Sequence, residues 1–145
     1  MKEVKKSALS CAERALGRET EAGRTPDPRL TAALAAARSF LTDPRQGRDA
    51  FDEARCRAFA AACFNTDAAD AVRAAVNAVW VQDPYVRESA DYAARCAANA
   101  AYATAVCVAY REGEDSVAAG HAARNQELSI QAGEKSRNHN QPKTR

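Results

Sequence analysis

Val72-Arg73-Ala74-Ala75-Val76-Asn77-Ala78-Val79-Trp80 carries its apolar side chains at Val72, Ala75, Val76, Val79 and Trp80. Apolar residues at i, i+3, i+4, i+7 and i+8 fall on one side of a 3.6-residue spiral, so the stretch is an amphipathic helix that needs a partner for that side. Thr66 stands before it as a cap for the first free amides. The same period recurs upstream and downstream.

Downstream, Asp83-Pro84 reads as a second start signal. It opens a long helix on which Tyr85, Ser89, Tyr92, Cys96, Ala100, Ala103, Cys107 and Tyr110 share one stripe. Ala93, Ala97, Ala101 and Val108 form a further stripe of small residues, which marks this segment as the central helix. Gly113 ends it, and Asp115 or Ser116 begins a sixth helix with Val117, His121 and Leu128 on one side. From about Gly133 no apolar residue anchors the chain. The reading is one helical domain over 1–134 and a disordered basic tail over 135–145.

Upstream, a helix over Asp49 to Phe64 presents Phe51, Ala54, Ala58, Phe59, Ala62 and Cys63. Before it, Asp27 can accept hydrogen bonds from free amides and Pro28 suits the first helical position; Leu30, Leu34, Ala37 and Leu41 follow until Asp43-Pro44 ends the helix. The first helix spans about Val4 to Leu16, with Val4, Ala8, Cys11 and Ala15 on one face and Gly17 or Gly23 to close it.

The fold class is therefore all-α, with about six helices in a bundle or a short helical-hairpin (αα) array. Composition agrees: about a quarter of the 145 residues are alanine, while Gly and Pro number 6 and 5 and lie between segments. Alanine has little surface to bury, so such helices must approach closely and draw volume from a few large residues: Phe40, Phe51, Phe59, Phe64, Trp80, Tyr92 and Tyr102. Ala54-Arg55-Cys56 is echoed 40 residues later by Ala94-Arg95-Cys96. Either alanine-rich helices coincide by chance, or the third and fourth helices and the fifth and sixth are two copies of one hairpin.

Charge narrows the function classes. With 21 Lys and Arg against 19 Asp and Glu, giving +2 and alternating signs, neither a nucleic-acid binder nor an acidic mimic of DNA is indicated. No apolar run suits a membrane span or a leader, and the five widely spaced cysteines suit a reducing cytoplasm. Neither histidine follows a glutamate by three residues, as a di-iron bundle requires. There is no Cys-x-x-Cys for zinc, and Cys56 with Cys63 reads as a buried structural repeat. Only His121 could serve as a base within the helices, with no orienting group, and no Gly-x-Gly loop cradles phosphate. No cofactor, metal or catalytic activity is expected. Polar positions inside alanine-rich helices, Arg55, Asp91, Arg95 and Asn99, are candidates for a recognition patch, with Trp80 as an anchor and His121 as a contact.

Cys11-Ala12-Glu13-Arg14, Asp27-Pro28-Arg29 with Leu34, Ala37-Arg38 and Phe40, and the segment from Ala54-Arg55 to Cys63 leading into Asp70 to Trp80 carry a resemblance. Over Cys11 to Tyr110 the chain resembles the all-helical immunity proteins of bacterial polymorphic toxin systems. It departs from that family where Asn99, Tyr102 and Val106 replace histidines and small residues in the later helices. The resemblance implies a cytoplasmic protein, made beside a toxin, that binds and neutralises it by protein contact. The alternative is a helical adaptor, or a self-associating scaffold such as a homodimer, that likewise binds protein without catalysis.

Overall fold

The computed structural model describes residues 1–61 and 66–140, and among them every regular element is helical: α1 (Lys2–Glu21), α2 (Pro28–Thr42), α3 (Pro44–Ala61), α4 (Asp67–Trp80), α5 (Tyr85–Glu112) and α6 (Ser116–His139). The all-α expectation holds. Local chemistry fixes most ends. Asp27 has an extended backbone and accepts the Arg29 amide at 2.9 Å, with Pro28 as the first helical residue; Thr66 Oγ1 and Asp115 Oδ1 accept from Ala69 and Ala118, each at 3.1 Å. Each cap satisfies an amide with no partner in the helix, worth about 1 kcal/mol. Gly113, at φ 72°, takes the left-handed turn that stops α5.

Three boundaries differ from the sequence reading. The first helix runs through Gly17 and ends before Gly23, at φ 81°, because one glycine costs a helix only about 1 kcal/mol. The third begins at Pro44 rather than Asp49: Asp43 Oδ1 accepts the Arg45 amide at 3.2 Å, so the Asp-Pro pair that ends α2 also starts α3. By contrast, Asp83-Pro84 supplies α5 with no side-chain cap. The last correction is larger. Residues 135–139, assigned to a disordered tail, continue α6 to His139, because Glu134 and Asn138 reach polar partners on α1 that an apolar count overlooks. Lys143 and Arg145 lie outside the described residues.

Contacts give the helix directions. Lys5 on α1 donates to the Val79 carbonyl near the end of α4 at 3.2 Å, and Asn77 on α4 donates to Ser89 near the start of α5 at 3.0 Å. Arg111 at the end of α5 donates to the Ala22 carbonyl just past α1 at 2.6 Å. Hence α1 and α5 are parallel, α4 runs antiparallel to both, and α2 and α3 form a hairpin alongside. The first helix touches α2, α4, α5 and α6, and α4 touches α1, α2, α3 and α5. The centre expected for α5 alone is shared with α1 and α4.

Alanine makes that closeness possible. Ala12 and Ala15 of α1, Ala71, Ala75 and Ala78 of α4, and Ala93 and Ala97 of α5 are all fully buried in one core. Bulk comes from Leu9, Val72, Val76, Val79 and Phe51, whose ring stacks on Phe40 at 5.1 Å and tilts against Trp80 at 5.5 Å. Phe59 and Tyr92, expected as fillers, are exposed, and Phe64 and Cys63 lie outside the described residues. The tyrosine-bearing stripe of α5 also faces out at Tyr85, Tyr92, Cys107 and Tyr110, leaving the alanine stripe inside: only the smaller stripe lets two neighbouring helices approach at once. Cys56 is exposed, not buried. The 40-residue echo has no structural counterpart. Arg55 is half-buried and Arg95 exposed, Cys56 is exposed and Cys96 buried, and α3 packs chiefly on α2.

Candidate functional site

The sixth helix is built inside out. Its buried residues are Gly120, Glu127, Gln131 and Glu134, while Val117 and Leu128 remain 56% and 42% exposed. Val117, His121 and Leu128 share one side of α6, as their spacing indicates, and that side is the exposed one. A buried carboxylate without a partner would forbid this arrangement. Glu127, with no exposed surface, has two cationic partners: Arg14 Nε at 3.2 and 3.1 Å from its oxygens, and Arg18 Nη2 at 2.9 Å. Arg14 Nη2 continues to Glu134 at 2.6 Å, and Gln131 donates to Glu127 at 3.0 Å and to the Ala94 carbonyl at 2.9 Å.

The charges in this network fix its protonation. Burial works against the Arg14 cation, yet hydrogen bonding and attraction to Glu127 outweigh it and hold the guanidinium charged beyond its ordinary range. Burial pushes the neighbouring Cys11 thiol up to about 12, with Arg14 opposing and both glutamates reinforcing the rise. Cys11 is therefore a protonated packing group and no nucleophile at neutral pH.

At one end of α6, Gly120 allows α5 to come close. A Cβ there would lie 2.7 Å from the Tyr102 ring and 2.8 Å from Val106. Tyr102 meets His121 edge to face at 5.3 Å, and toward the other end Asp91 pairs with Lys135 at 3.7 Å. These two contacts join a row on each helix, exposed throughout on α6 and on α5 half-buried at Tyr102 and Val106. On α5, helical spacing aligns Asp91, Arg95, Asn99, Tyr102, Val106 and Tyr110; on α6 it aligns Val117, His121, Arg124, Leu128 and Lys135. Tyr110 is 79% exposed. Four of the six residues singled out from sequence, Asp91, Arg95, Asn99 and His121, thus lie along one two-helix face.

Arg55 and Trp80 belong elsewhere. The Arg55 guanidinium stacks over Trp80 at 4.6 Å and lies 5.9 Å from Phe59, with Nη2 bonded to Asp52 at 2.8 Å. Trp80 is half-buried, so it acts as the lid of the Phe40–Phe51 core with one side still accessible. The single patch expected from sequence is two separate places on the molecule.

Sequence reasoning missed Arg14, Arg18, Glu127, Gln131 and Glu134. Their signal is present: Glu127, Gln131 and Glu134 share one side of α6, Arg14 and Arg18 one side of α1, and two polar stripes of opposite charge imply a joint. Among the described residues no group of three or more His, Cys, Asp or Glu is placed to hold a metal ion, and no helix is long and apolar enough to cross a membrane. Compared with known families, curated proteins and solved structures, the chain matches none.

Proposed function

We propose that this chain is a bacterial immunity protein that binds a cognate toxin through the α5–α6 face and neutralises it by contact, in the cytoplasm and without catalysis. The supporting observation is the inverted polarity of α6. A helix whose acids are locked inward and whose valine and leucine face outward leaves apolar side chains uncovered, interspersed with His121 and Arg124 and flanked by Tyr102, Tyr110 and Arg95. Tyrosine and arginine around a small apolar centre suit a surface that a partner desolvates. The resemblance of α1 through α5 to toxin-immunity proteins supplies the class of partner.

The experiment is coexpression with the proteins encoded beside this chain's gene. Rescue of growth by the wild type, and loss of both rescue and copurification with Val117→Asp plus Tyr110→Ala, supports the reading; no binding to any such protein sinks it. A homodimer that dissociates with the same double variant would move the assignment to a self-associating scaffold.

A further inference from the structure

A cavity of about 400 Å³ opens between α1, α5 and α6, near the start of α1. That size lies within the range of small-molecule sites. Val4 and Ala8 from α1 and Ala90 and Ala94 from α5 give it apolar walls.

Its polar lining is one-sided. Gln131 uses its amide nitrogen on the Ala94 carbonyl and on Glu127, and Asn138 uses its own on the Ser7 hydroxyl at 2.9 Å and the Glu3 carbonyl at 3.5 Å. Carbonyls only accept, so these contacts fix which end of each amide is nitrogen and leave its oxygen as an unused acceptor. Glu134, with its side chain 10% exposed, gives one oxygen to Arg14 and keeps the other. The inner groups therefore offer acceptors, one of them a carboxylate. Cations stand at the rim: Arg87 is exposed, and Lys135 is 72% exposed and only loosely held by Asp91.

Acceptors within, methyl-lined walls between and cations outside match a molecule with an ammonium at one end of a short methylene chain and a carboxylate at the other. We infer that this cavity binds an ω-amino carboxylate, with its ammonium toward Glu134 and the oxygens of Gln131 and Asn138 and its carboxylate toward Arg87 and Lys135. A free ω-amino acid and the C-terminal lysine of a peptide present the same chemistry. The site adjoins the outward rows of α5 and α6 at Asp91 and Lys135, while its inner groups, Glu134, Gln131 and Asn138, lie outside those rows, so it does not depend on a toxin binding there.

The test titrates the full chain with 6-aminohexanoate and follows backbone amides by NMR. Saturable shifts at Ala8, Ala90, Ala94 and Gln131 are expected, with hexylamine and hexanoate each at least about 10-fold weaker. Glu134→Gln should weaken binding about 10-fold or more. Because that change also loosens Arg14, Arg87→Ala at an exposed position is the fold-safe variant, and it should make 6-aminohexanoate bind no better than hexylamine. A peptide ending in free lysine that binds while its amidated form does not would identify a chain terminus as the source. Binding of the free amino acid alone would identify a small molecule, and both outcomes support the site. Absence of saturable shifts below about 10 mM, shifts confined to surface lysines, or equal binding of hexanoate would overturn it.

Discussion

Arg14 grips Glu127 across 113 positions of chain, with Nε 3.2 and 3.1 Å from the two carboxylate oxygens and Nη2 3.1 Å from one of them, on a glutamate with no exposed surface. A fork of this kind fixes orientation as well as distance. It joins the first helix to the last and sets which side of α6 turns inward.

Breaking the fork from one side should cost more than removing it whole. Glu127→Ala leaves Arg18 without its anion and Arg14 with Glu134 alone, and is expected to cost about 3–5 kcal/mol in urea unfolding. Replacing Glu127, Glu134, Arg14 and Arg18 together by leucine or methionine, so that no buried ion is left alone, should recover most of that loss. A quadruple variant no more stable than the single would show that the ions are not the cause.

Two glycine positions should respond in opposite directions. Gly120→Ala places a methyl within 2.8 Å of Tyr102 and Val106, and the strain, about 1–3 kcal/mol, should exceed the helix-propensity gain of about 1 kcal/mol. It should also shift the His121 ring resonances, since Tyr102 must move. Gly17→Ala meets nothing within 4 Å inside α1 and should raise stability by about 0.5–1 kcal/mol. Thermal unfolding of the pair decides both.

Thiol chemistry follows burial. Cys56 and Cys107 are exposed and should react with a disulfide reagent on the native protein at pH 8, whereas Cys11 and Cys96 should wait for unfolding. The Cys11 thiol is raised from 9.0 to about 12, so the unfolded chain loses that proton before the folded one. Its contribution to stability is complete below pH 9 and declines as pH rises from there toward 12. Cys11→Ala should flatten that decline in an unfolding series over pH.

The chain has one tryptophan, so its emission reports on Arg55. Arg55→Ala removes the cation 4.6 Å above the Trp80 ring and should move the emission toward the red as water reaches that side. The accompanying loss of stability should be about 0.5–2 kcal/mol, while Arg95→Ala, beside exposed Tyr92, should change neither reading.

Much of the fold was legible because caps are local. Asp27, Thr66, Gly113 and Asp115 each act within three residues of themselves, and the period of Val72 to Trp80 allows one side only. The polarity of α6 was not legible, for a physical reason. Helical spacing correctly groups Val117, His121 and Leu128 on one side and Glu127, Gln131 and Glu134 on another, but says nothing of which side is buried when cations distant in sequence neutralise the acids. In α5, alanine on every side removed the contrast by which a stripe is chosen, so its tyrosines were placed inward although only methyl groups leave room for α1 and α4. Of the site, the α5 row was readable as polar intrusions in an alanine helix; its apposition to His121 depends on Gly120, whose missing side chain a sequence reading passes over.

The joint between Arg14 and Glu127 has a consequence for biosynthesis. At ordinary ribosomal speeds of about 5–20 residues per second, the cation emerges roughly 6–23 seconds before the anion that neutralises it. The nascent chain can stack its alanine faces during that interval, but the two arginines of α1 stay hydrated until α6 is released. Folding around α1 should therefore finish only once α6 has left the ribosome, and a message cut short within that helix should yield a product that proteases clear quickly.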